Sequence, residues 1–253
     1  MSDLPAMSSV AQELISLTHS QHSSARQLDE TIKNDYSLTN KILQVANSSY
    51  YRRGEPVNTV LRAITTIGFD AIRNLALSIA VFNDFLKHGV AKDKIIETLS
   101  LAYLSAFFGL SLSTEKNLNI PNEEVFVCTL LSSLGKVIII VYCPKLYKKV
   151  EEVMADGYSE ARASKTVLKG LTFVEVGQKM AAHWNFSKVV IESMPPKPTH
   201  PKNSADTLGL IHNVTDFSDR IVSSVCNDQK LLLRETMTDY RKLFSLAPQE
   251  VAE

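Results

Sequence analysis

Glycine is scarce in this chain, at nine residues of 253, and no two of them stand as G-x-G. Gly135-Lys136 has neither the upstream glycine nor the following Ser/Thr of a phosphate-cradling P-loop. A G-x-S-x-G elbow is also missing, so serine hydrolase chemistry has no starting point. The three cysteines, Cys128, Cys143 and Cys226, show no CxxC or Cys/His spacing. They read as free thiols of a reducing cytosol, and a structural zinc site is not expected. Charge of one sign is not in excess, since Lys plus Arg and Asp plus Glu both total 27. A chain that displaces phosphate counterions usually carries a basic surplus, so neither nucleic acid nor an anionic membrane is an expected partner. The N-terminus lacks the basic start and apolar stretch of a signal peptide. The most apolar segment, Val125 to Cys143, is interrupted by Thr129, Ser132, Ser133, Gly135 and Lys136. It reads as buried core rather than a membrane span, and the expected location is the cytoplasm.

What is present is helical periodicity. Leu4, Met7, Ala11, Leu14 and Leu17 recur at steps of three and four, with Pro5 placed for a first turn. Ser24 and Gln27 have capping-box spacing ahead of Leu28 and Ile32. Asp35-Tyr-Ser37 opens a third helix that runs out at Asn47-Ser-Ser-Tyr-Tyr51. Val60, Ile64 and Ile67 form a stripe ended by Gly68, a position suited to a left-handed cap. Ile72, Leu75, Ile79 and Phe82 form the next. Beyond Gly89 the segments around Ile95–Phe108 and Val125–Tyr142 are apolar on nearly every side, as in central helices. By propensity alone, Val137-Ile-Ile-Ile-Val141 reads as a strand. Further helices are expected around 147–154, 173–184, 208–225 and 230–244. Pro195, Pro196, Pro198 and Pro201 mark a loop.

Candidate chemical groups are few. His19 and His22 stand three apart in a polar stretch without a neighbouring carboxylate. His212 and Asp216 stand four apart on one helix and share a face. That pair could contribute to a metal site, but two ligands do not complete one, and helix packing explains them as well. His183-Trp184 reads as packing. The Tyr50-Tyr51 pair could stack on a ligand or wedge a helix end.

The stretch from Asn34 to Tyr51, with Val60-Leu-Arg-Ala-Ile-Thr-Thr-Ile-Gly68 and Ile72-Arg-Asn-Leu75, resembles the signature of the HDOD family. The resemblance is strong from Leu4 to Phe82 and continues, more weakly, to Cys226. It implies an all-α, multi-helical architecture like that of HD phosphohydrolases, one domain over residues 1–253 in two helical lobes, about 1–90 and 91–253. On this ground Val125–Tyr142 is expected to be helical. HD enzymes hold metal with a His on one helix, a His-Asp pair on another and a later Asp. The His-Asp position falls in Leu130-Leu-Ser-Ser-Leu-Gly-Lys136, where Ser132 and Ser133 stand instead. The first His belongs near Ser100, and no His or carboxylate occurs from Thr98 to Ser113.

The later Asp is matched to Asp216, and His200 alone remains where some relatives carry further histidines. Ser132, Ser133 and Asp216 are thus vestigial site positions. His212, His200, Tyr50 and Tyr51 are a candidate ligand or partner surface, and Asn47, Gly68, Arg73 and Gly135 a structural signature. No resident cofactor or metal is expected. The resemblance implies a non-catalytic regulatory or output module of bacterial signal transduction, acting through an unknown protein partner or a small ligand. The alternative is a divergent metal-dependent phosphohydrolase using Asp216, His212 and His200.

Overall fold

A computed structural model of the protein describes residues 8–19, 24–48, 55–88, 91–194 and 206–246. All regular structure among them is α-helical. Five helices come first: α1 Ser9–His19, α2 Ala25–Lys33, α3 Tyr36–Ala46, α4 Val60–Ile67 and α5 Phe69–His88. The middle of the chain holds α6 Lys92–Glu115, α7 Asn122–Leu131, α8 Leu134–Tyr142 and α9 Pro144–Ala155. Then follow α10 Glu160–Val167, α11 Phe173–His183, α12 Lys188–Glu192, α13 Thr207–Cys226 and α14 Lys230–Tyr240.

The helix starts are written locally. The Ser24 Oγ accepts from Gln27 N while Ser24 N donates to Gln27 Oε1 at 2.8 Å, a reciprocal capping box. Asp35 caps α3 by accepting from Leu38 N at 3.0 Å, and Thr172 with Glu175 repeats the box at α11. Asn47 ends α3 and ties it to the next segment. Its Nδ2 donates to Leu43 O and Val57 O at 2.9 and 2.7 Å, and its Oδ1 accepts from Val57 N at 2.8 Å. A side chain satisfying both backbone groups of Val57 fixes where the chain re-enters the core.

Gly68 closes α4, its N–H donating to Ile64 O at 2.9 Å. Its φ is positive, +112°, as the cap reading required, but ψ is 152°. The residue is therefore in the extended mirror region that glycine almost alone adopts, rather than in a left-handed helical turn. The sharp reversal lets its carbonyl accept from Ile72 N and start α5 directly. Nothing lies within 4 Å of a Cβ built there, so the barrier to substitution is the backbone itself. Gly68→Val is expected to cost about 1–3 kcal/mol, read as a lowered thermal midpoint. A neutral result would mean that the reversal is not required. Arg73, one turn into α5, pairs with Asp70 at 2.9 Å and lies over the Phe69 ring at 5.6 Å.

Val137–Val141 is helical, within α8. Val137 and Ile140 are fully buried and Ile138, Ile139 and Val141 nearly so. Valine and isoleucine each give up only about half a kcal/mol of helix propensity, whereas burying each contributes about 1.5–3 kcal/mol. Tertiary burial decides the conformation. Gly135, in the first turn of α8, sits against the backbone of α11: a Cβ there would lie 1.8 Å from Phe173 O and 2.5 Å from Gly177 N. At the centre, α6, α7 and α13 pack together. Gly109 lets α6 approach Ser218 and Val214 of α13, and Phe108 meets Phe217 with ring centroids 6.0 Å apart. Phe217, Tyr240 and Phe244 then stack α14 against α13.

Candidate functional site

A cavity of about 710 Å³ lies between α6, the α7–α8 break and α13. Ser132 and Ser133 enter it from the two-residue break between α7 and α8, where a helix end frees side chains to face inward. Asp216, Asp219 and Arg220 enter from one face of α13, spaced three and four apart. Glu97 and Ser105 come from α6, Lys136 from α8 and Glu160 from the start of α10. Apolar wall is supplied by Leu101, Phe173, Met194 and Leu232 among others.

Asp216 is turned toward α14. Tyr240 Oη donates to its Oδ2 at 2.7 Å, and Arg220 Nη1 stands 3.8 Å away. Burial raises its pKa, opposed by that hydrogen bond and by the charges of Arg220 and His212. Tyr240 is in turn held protonated by burial and by the carboxylate. Arg220 also pairs with Asp239 at 3.0 Å, and Lys136 pairs with Glu160 at 2.5 Å.

Asp219 is the carboxylate set against the serines. The hydroxyls of Ser132 and Ser105 hydrogen-bond to it and favour its charged form, but desolvation outweighs them. With Asp216 and Glu160 adding repulsion, the pKa is pushed up to about 7. Thr129 O, 2.8 Å from Ser132 Oγ, is a second acceptor for that hydroxyl's single proton, and Thr129 meets Thr215 across the α7–α13 contact at 3.1 Å.

Of the residues singled out in the sequence, Ser132, Ser133 and Asp216 come together on this cavity. His212 is buried on α13, one turn from Asp216, and is not on the cavity wall. Ser100 is exposed and faces elsewhere; α6 addresses the cavity through Glu97, Thr98, Leu101, Ala102 and Ser105. Tyr50, Tyr51 and His200 lie outside the described residues. Asn47, Gly68 and Arg73 belong to the helix junctions of the first five helices, and Gly135 to the α8–α11 contact. Asp219 and Glu97 also line the cavity, and no sequence motif marks either. The available signal for Asp219 was its place one turn beyond Asp216 on the same helical face. Glu97 stands one residue before the stretch searched for a first ligand. Among the described residues, no three His, Cys, Asp or Glu side chains are grouped to hold a metal ion.

Fold and cavity together define, over the described residues, an all-helical protein with a cavity lined by carboxylates and serines. The HDOD domain family model matches residues 4–197, and the chain belongs to that family. Three of the solved structures to which it is similar illustrate the likeness. A candidate phosphohydrolase of Shewanella amazonensis SB2B superposes with a TM-score of 0.70 at 21% identity, over 96% of this chain and 86% of that one. An HDOD domain protein of unknown function from Geobacter sulfurreducens gives 0.66 at 16% identity, over 94% and 83%. A candidate signal transduction protein of Marinobacter aquaeolei VT8 gives 0.59 at 16% identity, over 99% and 60%. An uncharacterized protein of Treponema pallidum (strain Nichols) is 21% identical over 194 residues, and the aligned part spans 37% of its length. At these identities the structures share the fold.

Proposed function

We propose that the chain is a non-catalytic regulatory module of bacterial signal transduction, cytoplasmic, which acts by binding a protein partner or a small ligand rather than nucleic acid or membrane. The observation that carries this reading is the state of the cavity's acidic groups. Metal-assisted hydrolysis needs anionic or imidazole ligands converging on one ion. Here the position matched to the His-Asp pair holds two serines, while Asp216 is engaged by Tyr240 and Arg220 and Glu160 by Lys136. Among the described residues Asp219 is the one carboxylate of the wall without a cation of the protein at ion-pairing distance, and a single such carboxylate does not complete a divalent-ion site.

A divergent metal-dependent phosphohydrolase is the second reading. It is favoured by the placement of Asp216 and Asp219 on one wall of the same cavity and by the candidate phosphohydrolase among the structural neighbours.

Elemental analysis of protein purified without chelator or histidine tag separates the two. The regulatory reading expects less than about a tenth of an equivalent of Mn, Fe, Zn, Ni or Mg, unchanged after incubation with the divalent ions. Near-stoichiometric metal, with phosphoesterase activity lost in Asp216→Ala, would overturn it. Co-purification under several growth conditions should then recover a specific protein partner if the protein-binding mode operates.

A further inference from the structure

The cavity has four carboxylates on its wall, Glu97, Glu160, Asp216 and Asp219, against two cationic side chains, Lys136 and Arg220. Three of the four have a cation of the protein beside them. Lys94 stands 3.1 Å from Glu97, Lys136 2.5 Å from Glu160 and Arg220 3.8 Å from Asp216. Among the described residues, Asp219 alone of the four has none at ion-pairing distance. It is set instead against two hydroxyls, those of Ser105 and Ser132. A phosphate or other anion entering this space would meet two cations already paired and a carboxylate without a counter-charge. An organic cation would meet the reverse: a fixed acceptor group, hydroxyls able to take up the remaining N–H donors, and apolar wall from Leu101, Phe173, Met194 and Leu232. The volume suits a compact organic molecule.

We infer that this cavity is the receptor for a small organic cation, a protonated amine on an apolar body, with Asp219 as its counter-ion. The inference rests on the regulatory reading of the cavity and names the ligand class that reading leaves open. The ammonium sits against Asp219 with Ser105 and Ser132 beside it, and the body lies along Phe173 and Leu101. The other titratable and charged groups on the cavity wall with Asp219 are Glu97 from α6, Lys136 from α8, Tyr147 from α9, Glu160 from α10 and Asp216 and Arg220 from α13, with Tyr158 in the turn before α10. Of these, Asp216 and Glu160 oppose its ionisation most directly. A bound ammonium reverses that balance, because an opposite charge at contact favours the carboxylate. Amine binding therefore takes a proton from Asp219 and strengthens as pH rises. For a carboxyl titrating near 7, affinity at pH 8 is about tenfold above that at pH 6, while a simple alkylamine stays protonated throughout.

The test is calorimetry on the full chain with tryptamine, phenethylamine and cyclohexylamine. The matched alcohols tryptophol, 2-phenylethanol and cyclohexanol serve as neutral counterparts, and phenyl phosphate as the anion. At least one amine is expected to bind at pH 8 at least tenfold more tightly than its alcohol, more weakly at pH 6, and not detectably to Asp219→Asn. Asp239→Asn, which alters only the outer partner of Arg220, should keep amine binding. Amines that never exceed their alcohols, binding unchanged in Asp219→Asn, or preference for phenyl phosphate would each overturn the inference. Failure of the amines without phosphate ester hydrolysis or metal uptake removes this inference alone; hydrolysis of phenyl phosphate by metal-loaded protein removes the regulatory reading as well.

Discussion

Gly135→Ala is expected to lower stability by at least about 3 kcal/mol, although it adds a single methyl group to a helix. Helix propensity alone predicts the opposite sign, since alanine is favoured over glycine by about 1 kcal/mol in a helix interior. The added Cβ, however, would stand 1.8 Å from Phe173 O, 2.5 Å from Gly177 N and 2.9 Å from Phe173 C. All three are backbone atoms of the first turns of α11, so no rotamer change relieves the overlap. The helices must separate, and with them the packing of buried Val137, Phe173 and Ala181. Overpacking of a flexible core costs about 1–3 kcal/mol and more where neighbours cannot yield. Gly177→Ala is the internal comparison. Its Cβ would approach no atom closer than Gly135 N at 3.1 Å, which small shifts accommodate, so its loss should be well under half as large. Thermal melts of the two variants decide the matter: a drop of roughly 6–12 °C is expected for Gly135→Ala, or failure to fold, against a few degrees for Gly177→Ala. Equal midpoints, or a rise for Gly135→Ala, would mean that α8 and α11 are not in backbone contact.

Each structural signal in the sequence has its own range. Helix starts were legible because caps act within one turn: Ser24 with Gln27 and Asp35 with Leu38 do what their spacing implied. α10 was missed although Ser159 caps it by accepting from Arg162 N, because eight mostly polar residues give no apolar stripe to follow. Val137–Val141 was illegible to periodicity for the reverse reason. A helix buried on every side has no polar face to mark its period, and only the family resemblance placed it as helix.

The cavity divides in the same way. Ser132, Ser133 and Asp216 are marked by the resemblance and do line the same cavity. Asp219 is not, because nothing in Thr215-Asp-Phe-Ser-Asp-Arg220 distinguishes a solvated carboxylate from a desolvated one. The difference is made by α6 and the α7–α8 break closing over it, contacts from residues more than eighty positions away in sequence. The same holds for Glu97, whose place on the wall depends on the rotation of α6 rather than on any local pattern.

Asp219→Asn is expected to stabilise the protein above neutral pH and to leave it unchanged in acid. In the unfolded chain Asp219 titrates at the ordinary aspartate value of 3.8, and in the folded protein at about 7. Between those values the folded state holds more protons than the unfolded state, so stability falls as pH rises through this window. The contribution is fully present below about pH 4 and lost once pH exceeds the folded value. Three units correspond to a ceiling of about 4 kcal/mol. Asp219 is partly open to the cavity, and water there reduces the penalty, so a gain of about 1–3 kcal/mol is the reasonable expectation. Asparagine has nearly the same shape, carries no charge at any pH, and can still hydrogen-bond to Ser105 and Ser132. At pH 8 its thermal midpoint should therefore exceed that of the unmodified protein by roughly 3–8 °C, and at pH 4 the two should agree within a degree or two. The burial of Asp216 is common to both proteins, whereas its repulsion with Asp219 is relieved in the variant and is part of the gain at high pH. A difference that does not grow between pH 5 and pH 8, or a less stable Asp219→Asn at pH 8, would show that the carboxylate is well solvated or firmly paired, and that the cavity does not hold a carboxyl group poised at neutrality.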